Sequence, residues 1–217
     1  YEHTARVLTV AGELSAAPAD GGDPSVPPSS SLMWAALLHD IAKPACFTLD
    51  ENGRGHFYGH PEEGAPVARA IMRRLGLSEH LIRESCLLVR WHDIPLDLTR
   101  KSLLTMLNRL SGEGVDAPRL MDELLDLKRA DTLGKAPSCF YYVEEIELMR
   151  ERAHELLAAG EAYSLKTLAI SGGDLVRAGV RPGPRIGELL SRVLKATIAG
   201  AVANERTALL AFLGLDS

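Results

Sequence analysis

Cysteine, aromatic side chains and long apolar runs are all scarce in this chain, and each shortage removes a class of protein. Three cysteines, Cys46, Cys86 and Cys139, lie far apart with no CxxC pair among 217 residues. An odd and scattered set does not make a disulfide framework, so reduced thiols in a cytoplasmic setting are expected. No apolar stretch approaches the roughly 20 residues of a bilayer-spanning helix, and no charged-then-apolar leader precedes the first helix, so no membrane partner is expected. Aromatic residues make up 5% and the formal net charge is -5. That charge gives no global attraction to nucleic acid or anionic lipid, and any such contact needs a local basic patch. There is no glycine-rich P-loop and no Ser or Cys in a nucleophile-elbow setting. Alternating strand patterns and internal repeats are absent too. The chain opens on Tyr1 rather than Met, as expected of a piece of a longer protein.

What remains is helical periodicity. Helices are predicted over Glu2–Leu14, Leu32–Ala42, from Pro61 to about Leu75, Glu79–His92, Arg100–Leu110, Ala117–Leu133 and Tyr141–Ala159. Residues 15–31, rich in Ala, Pro, Gly, Asp and Ser, should form a flexible surface loop. Asn52-Gly53 should turn between two short extended pieces. After Gly160 the composition shifts. Ser171-Gly-Gly-Asp174 resembles a capping box, Pro182-Gly-Pro184 leads into a helix over 185–198, and Asn204 is expected to cap a last short helix. The expected fold is all-α, with a helical bundle over residues 1–160 and a small helical tail over 161–217.

Polar residues on the apolar stripes carry the chemistry. His39 and Asp40 close the apolar run that begins at Leu32. His3 shares a face with Val7, Val10 and Leu14, His92 sits above Leu88 and Val89, and Asp131 follows Leu124 and Leu127. Residues three, four and seven apart lie on one helical face, so all five should point inward. A lone inward His is more often a satisfied core residue, and a lone inward Asp more often a cap. Five together would each need a separate partner, whereas one divalent cation satisfies them all. Three His with two Asp suits first-row transition metals. His60, at a helix mouth, is a further candidate ligand for a second metal. His56 is read as a loop residue lining the cleft, and His80 and His154 as solvated.

The series His3, His39-Asp40, His60, His92, Asp131 resembles the H…HD…H…H…D signature of HD-domain metal-dependent phosphohydrolases. Four stretches add to it: Tyr1-Glu-His-Thr4, Ala35-Ala-Leu-Leu-His-Asp-Ile-Ala-Lys-Pro44, Gly55-His-Phe-Tyr-Gly-His60, and the tail from Ser171 to Pro184. Together they resemble the C-terminal half of bacterial CCA-adding tRNA nucleotidyltransferases, over most of the chain. Ala42 stands where that family usually has Gly, and nothing here resembles its nucleotidyltransferase head, so this chain alone should not add nucleotides. The resemblance implies an all-α HD fold in which His3, His39, Asp40 and Asp131 hold one metal. It further implies that His60 and His92 complete a second site, with Asp40 bridging. It implies hydrolysis of phosphate esters, including nucleotides and 2′,3′-cyclic phosphates at RNA ends.

The expected cofactor is one or two divalent ions: Mn, Ni, Co or Fe, with Mg also accepted. Lys43 and Arg54 are candidates to steady the phosphate, with His56 beside them, and His60 or His92 to protonate the leaving oxygen. Asp40, Lys43, His60 and His92 are the catalytic candidates. In the tail, Arg177, Arg181, Arg185, Arg192 and Lys195 form a basic stretch that could bind tRNA. Two rival readings stay open: a tRNA-binding module with a non-catalytic metal pocket, and a nucleotide phosphohydrolase without an RNA partner.

Overall fold

The computed structural model of this protein describes residues 2–16 and 29–215. Ten α-helices and one short hairpin make up its regular structure among the described residues. The chain divides into two compact units, the first formed by Tyr1–Pro95 with Arg119–Glu147 and the second by Leu96–Pro118 with Leu148–Ser217. Most of the segment expected to be a flexible loop, residues 17–28, lies outside the described residues.

In the first unit, α1 (Glu2–Ala16) packs on α2 (Ser30–Leu38), and α2 packs on α4 (Glu79–Trp91). Helix α3 (His60–Arg74) lies against α4, and α6 (Ala117–Gly134) supplies much of the core. Val7, Leu32, Met72, Ile82, Leu88, Leu120, Leu124 and Leu127 are all fully buried. Each such side chain contributes about 1.5–3 kcal/mol by leaving water. Helix α4 starts where Ser78 accepts a hydrogen bond from the Leu81 N–H.

Helix α2 ends four residues earlier than its apolar run suggests. The His39 N–H still reaches the Ala35 carbonyl at 2.7 Å, but Ile41, Lys43 and Ala45 each donate to the residue three back. The backbone therefore tightens into successive turns, and His39 and Asp40 sit at the helix exit rather than within it. After these turns, β1 (Thr48–Leu49) pairs antiparallel with β2 (Gly55–His56), Thr48 opposite His56. The Asp50 carboxylate accepts from the Asn52 and Arg54 N–H groups and holds the hairpin tip. Gly59, with φ 76°, turns the chain into α3, a conformation that strains other residues.

A polar knot is buried in this unit. The Ser29 and Ser31 hydroxyls donate to Glu123 at 2.9 and 2.6 Å, and Arg119 pairs with both Glu123 and Glu84. Buried carboxylates are tolerable only with such partners.

In the second unit, α5 (Arg100–Gly112) packs against α9 (Pro184–Ile198), and α8 (Gly172–Arg177) also packs on α9. Arg100 pairs with Glu161 and donates to the Thr197 and Ile198 carbonyls, closing the α9 C-terminus. The Ser171–Asp174 capping box forms as its sequence suggests. Asn204 does not cap α10 (Arg206–Phe212), because Glu205 holds that position. Its amide is used elsewhere, donating to the Gly160 and Thr167 carbonyls and accepting from the Ala169 N–H. Among the described residues all three cysteines are free thiols, and no helix is long and apolar enough to cross a membrane. Helix α7 (Tyr141–Ala158) runs on from a 3₁₀ turn at Pro137–Cys139.

Candidate metal centre

Four imidazoles meet inside the first unit, and each is held the same way. Nδ1 of His3 lies 3.2 Å from the Gly134 carbonyl and Nδ1 of His39 lies 2.9 Å from that of Ala36. Nδ1 of His60 is 2.9 Å from the Phe57 carbonyl, and Nδ1 of His92 is 2.7 Å from that of Val89. A carbonyl oxygen only accepts, so each Nδ1 carries a proton and in the neutral ring each Nε2 is left with a lone pair. Backbone carbonyls commonly orient metal-binding histidines in this way.

Those lone pairs face other acceptors. His3 Nε2 is 3.1 Å and His39 Nε2 is 3.7 Å from Asp131 Oδ1. Asp40 lies between the remaining rings. Its Oδ2 is 3.4 Å from His39 Nε2 and 3.7 Å from His3 Nε2, while its Oδ1 is 3.4 Å from His60 Nε2 and 3.7 Å from His92 Nε2. The two facing nitrogens of His60 and His92 are 3.2 Å apart. Acceptors crowded this closely repel unless a cation sits among them. His3 Nε2, His39 Nε2 and Asp40 Oδ1 are buried without a hydrogen-bond partner, and burying such atoms unpaired is costly. Two groups, His3–His39–Asp131 and Asp40–His60–His92, each bring their ligand atoms within 4.8 Å of one another. Either can chelate a divalent cation.

The electrostatics agree with this layout. Burial pulls the His39 imidazole down, but the Asp131 and Asp40 carboxylates beside it outweigh burial and raise it to about 9. Without a metal, a proton on His39 thus serves as the missing cation. Burial and the neighbouring His39 push His92 down to about 4, which keeps it neutral and ready to ligate. Burial alone would raise Asp40 and Asp131, yet His39 with Lys43, and His39 with Lys135, hold them well below the usual carboxylate range. Lys43 Nζ is 2.7 Å from Asp40 Oδ2, and Lys135 Nζ is 2.6 Å from Asp131 Oδ2.

Of the residues singled out from sequence, the structure thus brings His3, His39, Asp40, Lys43, His60, His92 and Asp131 together. His56 and Arg54 belong to the hairpin instead. His56 Nε2 lies 3.0 Å from Asp50 Oδ2 and its ring stacks on Tyr58, while Arg54 is exposed. His80 is exposed beside Glu84. Sequence reasoning passed over Gly134, Lys135 and Glu123. Lys135 had a signal, standing four residues after Asp131 on one helical face. Gly134 had none, since its role is to leave room: a Cβ there would lie 2.6 Å from Val7 Cγ2 and 3.2 Å from His3 Nδ1.

Comparison with known proteins adds a second line. Residues 1–135 match the HD domain family, and residues 136–213 match tRNA nucleotidyltransferase domain 2. The A-adding tRNA nucleotidyltransferase of Deinococcus radiodurans is 28% identical over 179 residues, covering 82% of this chain and 40% of that protein. The CC-adding tRNA nucleotidyltransferase of Thermus thermophilus is 30% identical over 180 residues, covering 80% of this chain and 37% of that protein. A CCA-adding enzyme of Lacticaseibacillus paracasei is 43% identical over 61 residues, covering 28% of this chain and 15% of that enzyme. The chain therefore spans well under half the length of these relatives. No solved structure matches it significantly.

Proposed function

The chain belongs to the HD-domain family, with a tRNA nucleotidyltransferase-like segment after its HD region, and from this premise we propose that it is a metal-dependent phosphohydrolase. Its substrates are nucleotides or RNA ends, including 2′,3′-cyclic phosphates. The observation that carries the reading is Asp40, whose two oxygens face two separate sets of imidazole lone pairs. His3, His39 and Asp131 would hold one cation and His60 and His92 a second, with Asp40 between them. Mn, Ni, Co or Fe suit these ligands, and Mg is also accepted.

A divalent cation held by these residues would supply a bound water of pKa about 7 and polarise a phosphoryl oxygen. The chain's own groups do the rest. Lys43, half-buried beside Asp40, offers a positive charge to the phosphate. His60, where not occupied as a ligand, would give a proton to the leaving oxygen, whereas His92, kept neutral by its burial, is left as a ligand. Arg54 and His56, engaged on the hairpin with Asp50 and Tyr58 or exposed, are given no part in this reading. A cytoplasmic location belongs to the same reading and is supported by the free thiols.

A second reading has its own support in the tail. Arg181, Arg185 and Arg192 line a cavity of about 680 Å³ with Leu189, Leu213 and Leu215. Arginines placed there could neutralise RNA phosphates, as a tRNA-binding module would need. Arg177 is less available, being paired with Asp174. Hydrolysis assays on a chromogenic phosphodiester and on 2′,3′-cyclic nucleotides, with Mn, Ni, Co and Mg added in turn, separate the readings. Turnover that Asp40→Ala abolishes supports the hydrolase. Salt-dependent tRNA binding without any turnover supports the module.

A further inference from the structure

An aromatic surface lies open to solvent beside the metal-binding groups. The Thr48–His56 pairing sets Phe47 opposite Phe57 at the mouth of the hairpin. Their ring centres are 5.5 Å apart, and the two residues are 51% and 39% exposed. The Phe47 ring closes over Gly55, where an added Cβ would come within 2.6 Å of Phe47 Cε2. The hairpin thus spends a glycine to seat this ring, yet leaves the outer face of the aromatic pair wet. His56 and Tyr58, one residue out of step along the strand, belong to the opposite face. They stack on each other at 4.9 Å and 8°.

Only the phenylalanine face is tied to the metal-binding groups by the contacts observed. The Phe57 carbonyl accepts from His60 Nδ1 at 2.9 Å. Above the Phe57 ring, at 5.7 Å from its centre, stands Lys43 Nζ, which is 2.7 Å from Asp40 Oδ2. A cation able to meet a phosphate therefore stands between the shared carboxylate and an exposed aromatic ring. An ester carrying only sugar or an aliphatic group would leave that ring wet.

We infer that Phe57, backed by Phe47, is a stacking platform for the nucleobase of a phosphate ester whose phosphate lies at Lys43 and the His/Asp groups. The inference rests on the phosphohydrolase reading and narrows its substrates to esters bearing an aromatic base. Stacking of one base on an aromatic side chain changes affinity about tenfold to a hundredfold.

The test is equilibrium binding to the full chain in Mn²⁺, comparing adenosine 5′-monophosphate with ribose 5-phosphate, which differ by the base alone. The wild-type chain should prefer the nucleotide at least tenfold. Phe57→Leu should erase that preference while leaving ribose 5-phosphate affinity unchanged, Phe57→Trp should keep it, and Tyr58→Leu on the other face should not alter it. Equal binding of the two esters by the wild-type chain, or an equal loss of both in Phe57→Leu, overturns the platform alone. Failure of both esters to bind overturns the phosphohydrolase reading and the platform with it.

Discussion

Ser31 donates to Glu123 at 2.6 Å, and this buried bond fixes the register between α2 and α6. Eight residues farther along each segment, His39 faces Asp131 at 3.7 Å. The two pairs run in step, so the first constrains the second. Glu123 stands eight residues before Asp131 on α6, and its bonds to Ser29 and Ser31 anchor that helix to the start of α2.

Glu123→Ala should therefore act at two levels. Leaving buried hydroxyls without their acceptor should cost about 1–3 kcal/mol, read as a lower midpoint in urea. It should also weaken metal binding, by less than the roughly 10-fold to 100-fold loss expected of a partner bonded directly to a ligand. Titration calorimetry with Mn²⁺ or Co²⁺ checks this, and Glu123→Gln should recover part of both. Unchanged affinity in a destabilised Glu123→Ala protein would reduce the knot to a purely structural one.

Gly134 should be intolerant of a single methyl group. Gly134→Ala forces Val7 or His3 to move, because the new Cβ would sit 2.6 Å from Val7 Cγ2. Overpacking of this kind costs about 1–3 kcal/mol, and displacing His3 should lower metal content. Gly112→Ala is the control, since nothing lies near that position. It should be neutral or stabilise the protein by up to about 1 kcal/mol.

These two positions show where the sequence stops being informative. His3, His92 and Asp131 are legible because each stands at helical spacing from buried residues: Val7, Leu88 and Leu124 are all buried. The capping box at Ser171 is legible because both of its partners are local. Glu123 and Gly134 are not, since the partners that give them meaning lie 92 and 131 residues away. The end of α2 is not legible for a related reason. Hydropathy shows that Leu32–Ala42 is buried, but not that the backbone tightens after Leu38. Asn204 was read as a cap from its type alone, whereas its amide spans Gly160, Thr167 and Ala169.

In the tail, Ser171→Ala should destabilise the second unit by about 1 kcal/mol through loss of the cap, with metal binding unchanged. Asp174 supplies a pH signature. Its bonds with Ser171, then its pairs with Arg206 and Arg177, hold the carboxyl well below the usual carboxylate range. A depressed folded-state pKa stabilises the fold above the unfolded value of about 3.9 and loses that contribution as pH falls below it. Asp174→Asn should thus lower the melting temperature at pH 7. As pH falls below about 4 the gap to wild type should begin to narrow, and it should close fully only below the depressed folded-state pKa. Melting curves from pH 7 to pH 3 report the lowering and the start of the narrowing.

Lys43→Met should spare metal content while lowering kcat/KM for phosphate esters by about tenfold or more, since a charge-assisted bond to phosphate is lost. Metal analysis together with steady-state kinetics separates this from loss of the metal-binding groups themselves. Loss of metal in Lys43→Met would instead mark the lysine as a support for Asp40.

Elemental analysis of protein purified without chelator tests the account most directly. One or two first-row metal ions should accompany each chain, and Asp40→Ala, its circular dichroism unchanged, should carry markedly less. A folded wild-type protein that holds no metal, and takes none up from Mn, Co or Ni solutions, would contradict the account.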